Sequence, residues 1–174
     1  MAIHVVVIGA MASGKSSVGR GLADRLARPL RDSDDDLRAD LGISGRELAA
    51  AEGVEALHSW EVGHLLRALR GTSPSVVAAA ASTVDHEACR AALGDHVVIW
   101  LAAPPSVLAA RRTGTGPPDH RRDVAGGEGD LARRRAATYR AAADIVVDMA
   151  DATVDEVVAA VLAQLPATVL PDAT

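Results

Sequence analysis

Apolar residues along this chain follow two rhythms. Short unbroken apolar runs alternate with longer stretches in which apolar residues recur at every third or fourth position. Ile3 to Ile8 is one such run, interrupted only by His4, and it predicts a strand buried on both faces. After a glycine-bearing loop, Val18, Leu22 and Leu26 repeat at helical spacing, so Lys15 to Ala27 is predicted as a helix. Pro29 and Leu30 begin a second strand ending at Asp32-Ser33-Asp34, followed by a polar helix to about Leu41.

Ser44 with Glu47 three residues on forms a capping box, which opens a helix running to about Leu69 with a break near Gly53. Val76–Ala80, Val97–Leu101 and Ile145–Asp148 are predicted as three further strands. His86–Leu93, a segment starting at Pro104-Pro105, and Leu131–Ala143 are predicted as helices. Thr153 to Glu156 caps a last helix ending near Leu165. Thr113 to Gly129 holds five glycines and two prolines among charges, a composition for a mobile surface loop. Strands alternating with helices predict one α/β domain over 1–165, a parallel sheet covered on both faces, with a loose tail over 166–174.

Composition narrows the chemistry. The 174 residues suit a single core, and 49% of them are apolar. A net charge of −5 argues against a nucleic-acid-binding face, which must be basic. The lone Cys89 excludes an intramolecular disulfide and suits a reducing cytoplasm. No apolar run is long enough to span a membrane. Aromatics are confined to Trp60, Trp100 and Tyr139, so stacking platforms are scarce.

Gly9 to Ser16 matches G-x4-G-K-[ST], between a buried strand and a helix. Glycines let the loop's N–H groups approach phosphate oxygens, and the helix presents its positive end to the anion. Gly9, Ala12, Ser13, Gly14, Lys15, Ser16 and Ser17 are therefore the candidate nucleotide cradle. Lys15 places a point charge on the β- and γ-phosphates, and Ser16 offers a hydroxyl to Mg2+. A chance match in a chain this long arises about one time in a hundred.

Asp32 and Asp34, two apart at a strand end, are expected to face one crevice beyond the carboxyl ends of the strands. Asp32 then suits the metal and Asp34 the proton of an attacking hydroxyl. Asp35 and Asp36 are read as acids complementing the helix N-terminus. Arg133, Arg134 and Arg135 are consecutive on a helix and cannot all face one site.

These motifs resemble the shikimate kinase family over nearly the whole chain. The P-loop with its continuation to Arg20 looks like the family's first motif, and Asp32-Ser33-Asp34 like its D-[TS]-D. Glu52-Gly53 with Glu61 is similar to its E-G-E-x-x-F-R-x-x-E region. Arg135 with Tyr139 is similar to R-x-P-L-Y, and Ala143-Asp144 to the A-D that follows it. The resemblance implies a nucleoside-monophosphate-kinase type of P-loop fold, a three-layer sandwich around five parallel strands. It implies ATP and Mg2+ as cofactors, a small-molecule hydroxyl as acceptor, Arg111 stacked on adenine, and Arg121 as a lid arginine, with Arg122 its neighbour.

Departures gather on the acceptor side. His58 stands where the family has an arginine for the shikimate carboxylate, and Ala80-Ala81-Ser82 stands where it has three glycines. The implied acceptor-binding set is Asp34, His58, Ala80, Ala81, Ser82 and Arg135. The expectation is a cytoplasmic kinase, a monomer or alternatively a dimer, acting on a polyol, cyclitol or hydroxy acid. Shikimate kinase proper, a gluconate kinase-like enzyme and a nucleotide-binding pseudoenzyme are the alternatives.

Overall fold

The computed structural model describes residues 2–113 and 128–170, with side chains described except at 112, 113 and 128–133. Five strands, β1 (Val5–Ile8), β2 (Leu30–Asp32), β3 (Val76–Ala78), β4 (Val97–Ala102) and β5 (Ile145–Asp148), form one parallel sheet in the order β2-β3-β1-β4-β5. Eight helices accompany them among the described residues: α1 (Lys15–Leu26), α2 (Ser33–Leu41), α3 (Gly45–Glu52), α4 (Val54–Leu69), α5 (Glu87–Leu93), α6 (Pro105–Thr113), α7 (Glu128–Ala142) and α8 (Val154–Leu162).

The sheet is the middle of three layers. Val5 and Val7 point to one face and pack with Leu22 of α1 and Val157 and Val161 of α8. Val6 and Ile8 point to the other, against Leu65 and Leu69 of α4, Cys89 and Leu93 of α5 and Tyr139 of α7. All four β1 residues are buried, which is why its sequence is continuously apolar rather than alternating. A small satellite core of Leu37, Leu48 and Leu57 joins α2, α3 and α4.

Both predicted capping boxes form, at Ser44–Glu47 and Thr153–Glu156. The long helix predicted after Ser44 divides at Gly53, whose φ of 95° and ψ of 161° lie in a region only glycine occupies comfortably. Several boundaries differ from expectation. β1 begins at Val5, one residue after His4, whose ring hydrogen-bonds Ser75 and Gly71. β3 ends at Ala78, and the chain then turns through a 3-10 turn (Thr83–Asp85) too short to leave a periodic signal.

The loop predicted over 113–129 lies mostly outside the described residues. Thr113 belongs to α6, and α7 already begins at Glu128. The tail from Pro166 is not loose as far as Leu170. Val169 is 1% exposed in the core, and its carbonyl accepts from Arg28 Nη2 at 2.7 Å. No described helix is long and apolar enough to cross a membrane.

Candidate active site

The strand order sets the site. β1 lies beside β3, and β3 beside β2, with Val7 and Asp32 both in register with Ala78. The carboxyl ends of these strands therefore deliver the loop after β1, Asp32 and the Ala79–Ala81 segment to one edge. A cavity of about 210 Å³ opens there, lined from the loop and α1, from Asp32 to Asp34, from Glu61 of α4 and from Ala78 to Ala81.

The loop is shaped to bring backbone close to a ligand. Gly9 has φ 151°, and a Cβ there would meet Ser13 Oγ at 2.8 Å and the Leu101 carbonyl at 2.9 Å. No larger residue fits this turn. Ala12 holds φ 64°, an uncommon left-handed conformation for a residue with a side chain, and it lines the cavity. Gly14, Lys15, Ser16 and Ser17 line it as well.

Gly9 and Ser13 do not line the cavity; they sit beneath it. Ser13 is fully buried, its N–H donating to the Ala10 carbonyl at 3.2 Å. Lys15 Nζ donates to the Gly9 and Ala10 carbonyls at 3.0 and 2.9 Å, which holds the ammonium against the loop.

Asp32 is 4% exposed and caps α2, its Oδ1 accepting from the N–H groups of Asp34 and Asp35 at 3.0 and 3.3 Å. Its Oδ2 is buried and accepts no hydrogen bond among the described residues. A hard oxygen donor left unsatisfied, in a cavity that Ser16 also lines, fits a Mg2+ held by phosphate and hydroxyl oxygens.

Asp34 lines the same cavity, though not by the predicted route. β2 ends at Asp32, so Asp34 sits on the first turn of α2 and not on extended backbone. The alternation expected of a strand does not apply to this pair. Asp35 bonds Arg20 at 3.2 Å. Asp36 does more than complement the helix end: it takes Arg31 Nε and His64 Nε2, both at 2.7 Å, and ties β2 and α4 to α2.

On the acceptor side, Ala80 and Ala81 line the cavity. Ser82 is buried behind them and donates its hydroxyl to Glu61 Oε2. Glu61 is 2% exposed. In the sequence it stood out only through the likeness of Glu52-Gly53 and Glu61 to the family's E-G-E-x-x-F-R-x-x-E region.

His58 and Arg135 are not among the lining residues. Arg135 faces the 3-10 turn and forks onto Asp85, with Nη2 at 2.6 Å and Nε at 3.1 Å from Oδ2. No local spacing marks Asp85 as its partner. Tyr139, one turn along α7, donates its hydroxyl to the Ala81 carbonyl at 3.0 Å. Burial pushes this phenol up, so it stays neutral and remains a donor. Arg111 lies on the opposite side of the loop. Its Nη2 donates to the Met149 carbonyl at 2.7 Å, and the Met149 methyl is 3.4 Å from where a Gly14 Cβ would be. Arg121 lies outside the described residues.

Comparison with known proteins agrees with this geometry. Residues 11–166 match the family model described as shikimate kinase. The chain is 37% identical over 134 residues to the shikimate kinase of Symbiobacterium thermophilum, covering 77% of this chain and 76% of that one. It is 30% identical to that of Thermobifida fusca over 93% of this chain and 94% of the other. Its fold superposes on the shikimate kinase of Acinetobacter baumannii in complex with shikimate with a TM-score of 0.80, at 23% identity over 93% and 92% of the two chains. With a triphosphate cradle, a carboxylate-lined crevice and these relatives, the chain belongs to the shikimate kinase family, as an ATP-dependent, Mg2+-requiring kinase that phosphorylates a hydroxyl of a small molecule.

Proposed function

We propose that the acceptor is a polyol, cyclitol or hydroxy acid other than shikimate. The observation that carries this reading is the acceptor wall. Where the family motif has three glycines, the cavity is lined by Ala80 and Ala81, and the Ser82 hydroxyl is committed to Glu61. Methyls narrow the space that glycines leave for a ring hydroxyl to reach backbone N–H groups. His58, in place of the family's arginine, lacks the always-charged bidentate fork that grips a carboxylate.

On this reading Ala12, Gly14, Ser16 and Ser17 cradle the phosphates, Gly9 and Ser13 hold the shape of the loop, and Arg111 lies against adenine. Ser16 and Asp32 hold Mg2+, which when bound offsets negative charge on the phosphates. Lys15 moves from the loop carbonyls to the β- and γ-phosphates, exchanging neutral acceptors for charged ones. Asp34 takes the proton of the acceptor hydroxyl as its oxygen bonds to the γ-phosphorus and the bond to the β–γ bridging oxygen breaks, releasing ADP. Arg121 supplies a lid cation, and Ala80, Ala81, Ser82, His58 and Arg135 bound the acceptor side. The enzyme acts as a monomer in the cytoplasm.

An ADP-release screen over shikimate, quinate, gluconate, cyclitols and amino alcohols tests the reading. The expected result is a kcat/KM for a non-shikimate acceptor above that for shikimate. Efficient turnover of shikimate alone would refute it. Asp34→Asn is expected to lower kcat by about 10² to 10⁴-fold, the share a positioned base contributes, while nucleotide binding persists.

A further inference from the structure

Where β3 ends, the backbone holds its carbonyls and leaves its N–H groups open. Ala79 still donates to the Val7 carbonyl at 3.1 Å. In the next three residues every carbonyl is taken. The Ala80 oxygen accepts from the Thr83 N–H at 3.2 Å and from Thr83 Oγ1 at 2.7 Å. The Ala81 oxygen accepts from the Tyr139 hydroxyl at 3.0 Å, and the Ser82 oxygen from the Asp85 N–H at 3.0 Å. The N–H groups of Ala80, Ala81 and Ser82 meet no acceptor among the described residues. Backbone donors are rarely left so in a folded interior, and three in a row point to a ligand.

A peptide unit is planar and trans, so its N–H points opposite to its C=O. Thr83 therefore turns the Ala81 N–H away from the 3-10 turn, and Tyr139 turns the Ser82 N–H away from α7. The first hold is local, and backbone supplies half of it. The second is tertiary and rests on one hydroxyl. Tyr139 is 2% exposed, and its ring stacks on Trp100 of β4 with centroids 6.0 Å apart, which fixes where that hydroxyl sits. Asp34 and Glu61 line the same cavity, and ionised carboxylates only accept. An acceptor's accepting oxygens need donors, and a reversed Ala81–Ser82 peptide would show them a carbonyl instead.

We propose that Tyr139, seconded by Thr83, is a positioning residue for the acceptor: it pins the Ala81–Ser82 peptide so that the wall offers N–H groups, not carbonyls, to an oxygen of the acceptor. This rests on the reading above that the acceptor enters beside Ala80 and Ala81, and it deepens that reading by naming what fixes the wall. Tyr139 is not among the residues lining the cavity, and it acts through the backbone of Ala81.

Tyr139→Phe removes the hydroxyl and keeps the ring on Trp100. It is expected to raise KM about tenfold for the best acceptor of the screen, the scale of one hydrogen bond, and to leave KM for ATP unchanged. Thr83→Val removes one of two donors to the Ala80 carbonyl, and it is expected to shift the same constant the same way by less. A merely structural Tyr139 would lower the melting temperature and leave the two KM values in their wild-type ratio, which overturns the proposal. If Tyr139→Phe does not fold, Thr83→Val decides: a raised acceptor KM alone supports the proposal, and an unchanged ratio overturns it.

If shikimate is the one efficient acceptor, the substrate reading fails, and the same KM split measured with shikimate still decides on Tyr139. If no acceptor of the screen turns over, calorimetric binding of shikimate decides, with a non-hydrolysable ATP analogue bound. Weaker shikimate binding by Tyr139→Phe than by wild type, with the analogue held equally, supports the proposal. Equal or undetectable shikimate binding in the two overturns it.

Discussion

Ser82 shows how one hydroxyl changes a wall. A glycine there would leave the buried Glu61 without this donor, and taking a partner from a buried polar group costs part of its desolvation. Ser82→Ala is expected to cost about 1–3 kcal/mol of stability, the usual penalty for removing a hydrogen-bond partner from a buried charged group. It is also expected to raise KM for the acceptor more than KM for ATP, because Glu61 lines the cavity at the acceptor wall. Steady-state kinetics with each substrate varied in turn checks the split. Equal changes in the two constants would place Ser82 outside acceptor binding.

Among the elements, the break between α3 and α4 matters most to the site. α4 carries Glu61, and its start is set by Gly53. In Gly53→Ala the new Cβ meets the Glu55 carboxylate at 3.4 Å, an ordinary contact, so the cost is backbone strain. The expected loss is about 1–3 kcal/mol, read as a lower denaturant midpoint at unchanged slope.

Most elements were legible because their signals are local: apolar runs for strands, helical periodicity, and two capping boxes. The phosphate loop was legible for the same reason. What stayed hidden was set by contacts between distant residues. Asp34 moved from strand to helix because Asp32 caps α2 in place of extending β2. The Arg135–Asp85 and Ser82–Glu61 pairs join different elements through tertiary folding, which no spacing along the chain encodes. Val169 docks on the core through a single side chain, too little to stand out in a segment beginning with proline.

At the scale of the whole molecule, the end of the sheet opposite the site holds a titratable pair. His4 and His96 are 0% and 8% exposed, with ring centroids 4.9 Å apart. The Ser75 N–H donates to His4 Nδ1 at 3.2 Å, so Nε2 carries the proton and donates to the Gly71 carbonyl. Burial, with repulsion from Arg28 and between the rings, holds both imidazoles below the ordinary value of 6.5. The unfolded chain therefore binds protons more readily than the folded one. Stability is full above about pH 6.5 and falls as pH drops through the depressed folded values. Thermal melts from pH 8 to pH 5 are expected to show this decline, and His4→Gln with His96→Gln to flatten it. An unchanged slope in the double variant would assign the decline to the carboxylates.

The same sheet has a consequence for how the protein is made. β1 is its middle strand, yet its two neighbours are β3 and β4, both far downstream. As a nascent chain leaves the ribosome, Val5 to Ile8 must wait with both hydrogen-bonding edges bare until Val76 and then Val97 have been synthesised. An apolar β-branched segment in that state is an aggregation hazard, and parallel pairing across such separations is slow. The strand that anchors the phosphate loop is thus the part of the chain with most to gain from a chaperone.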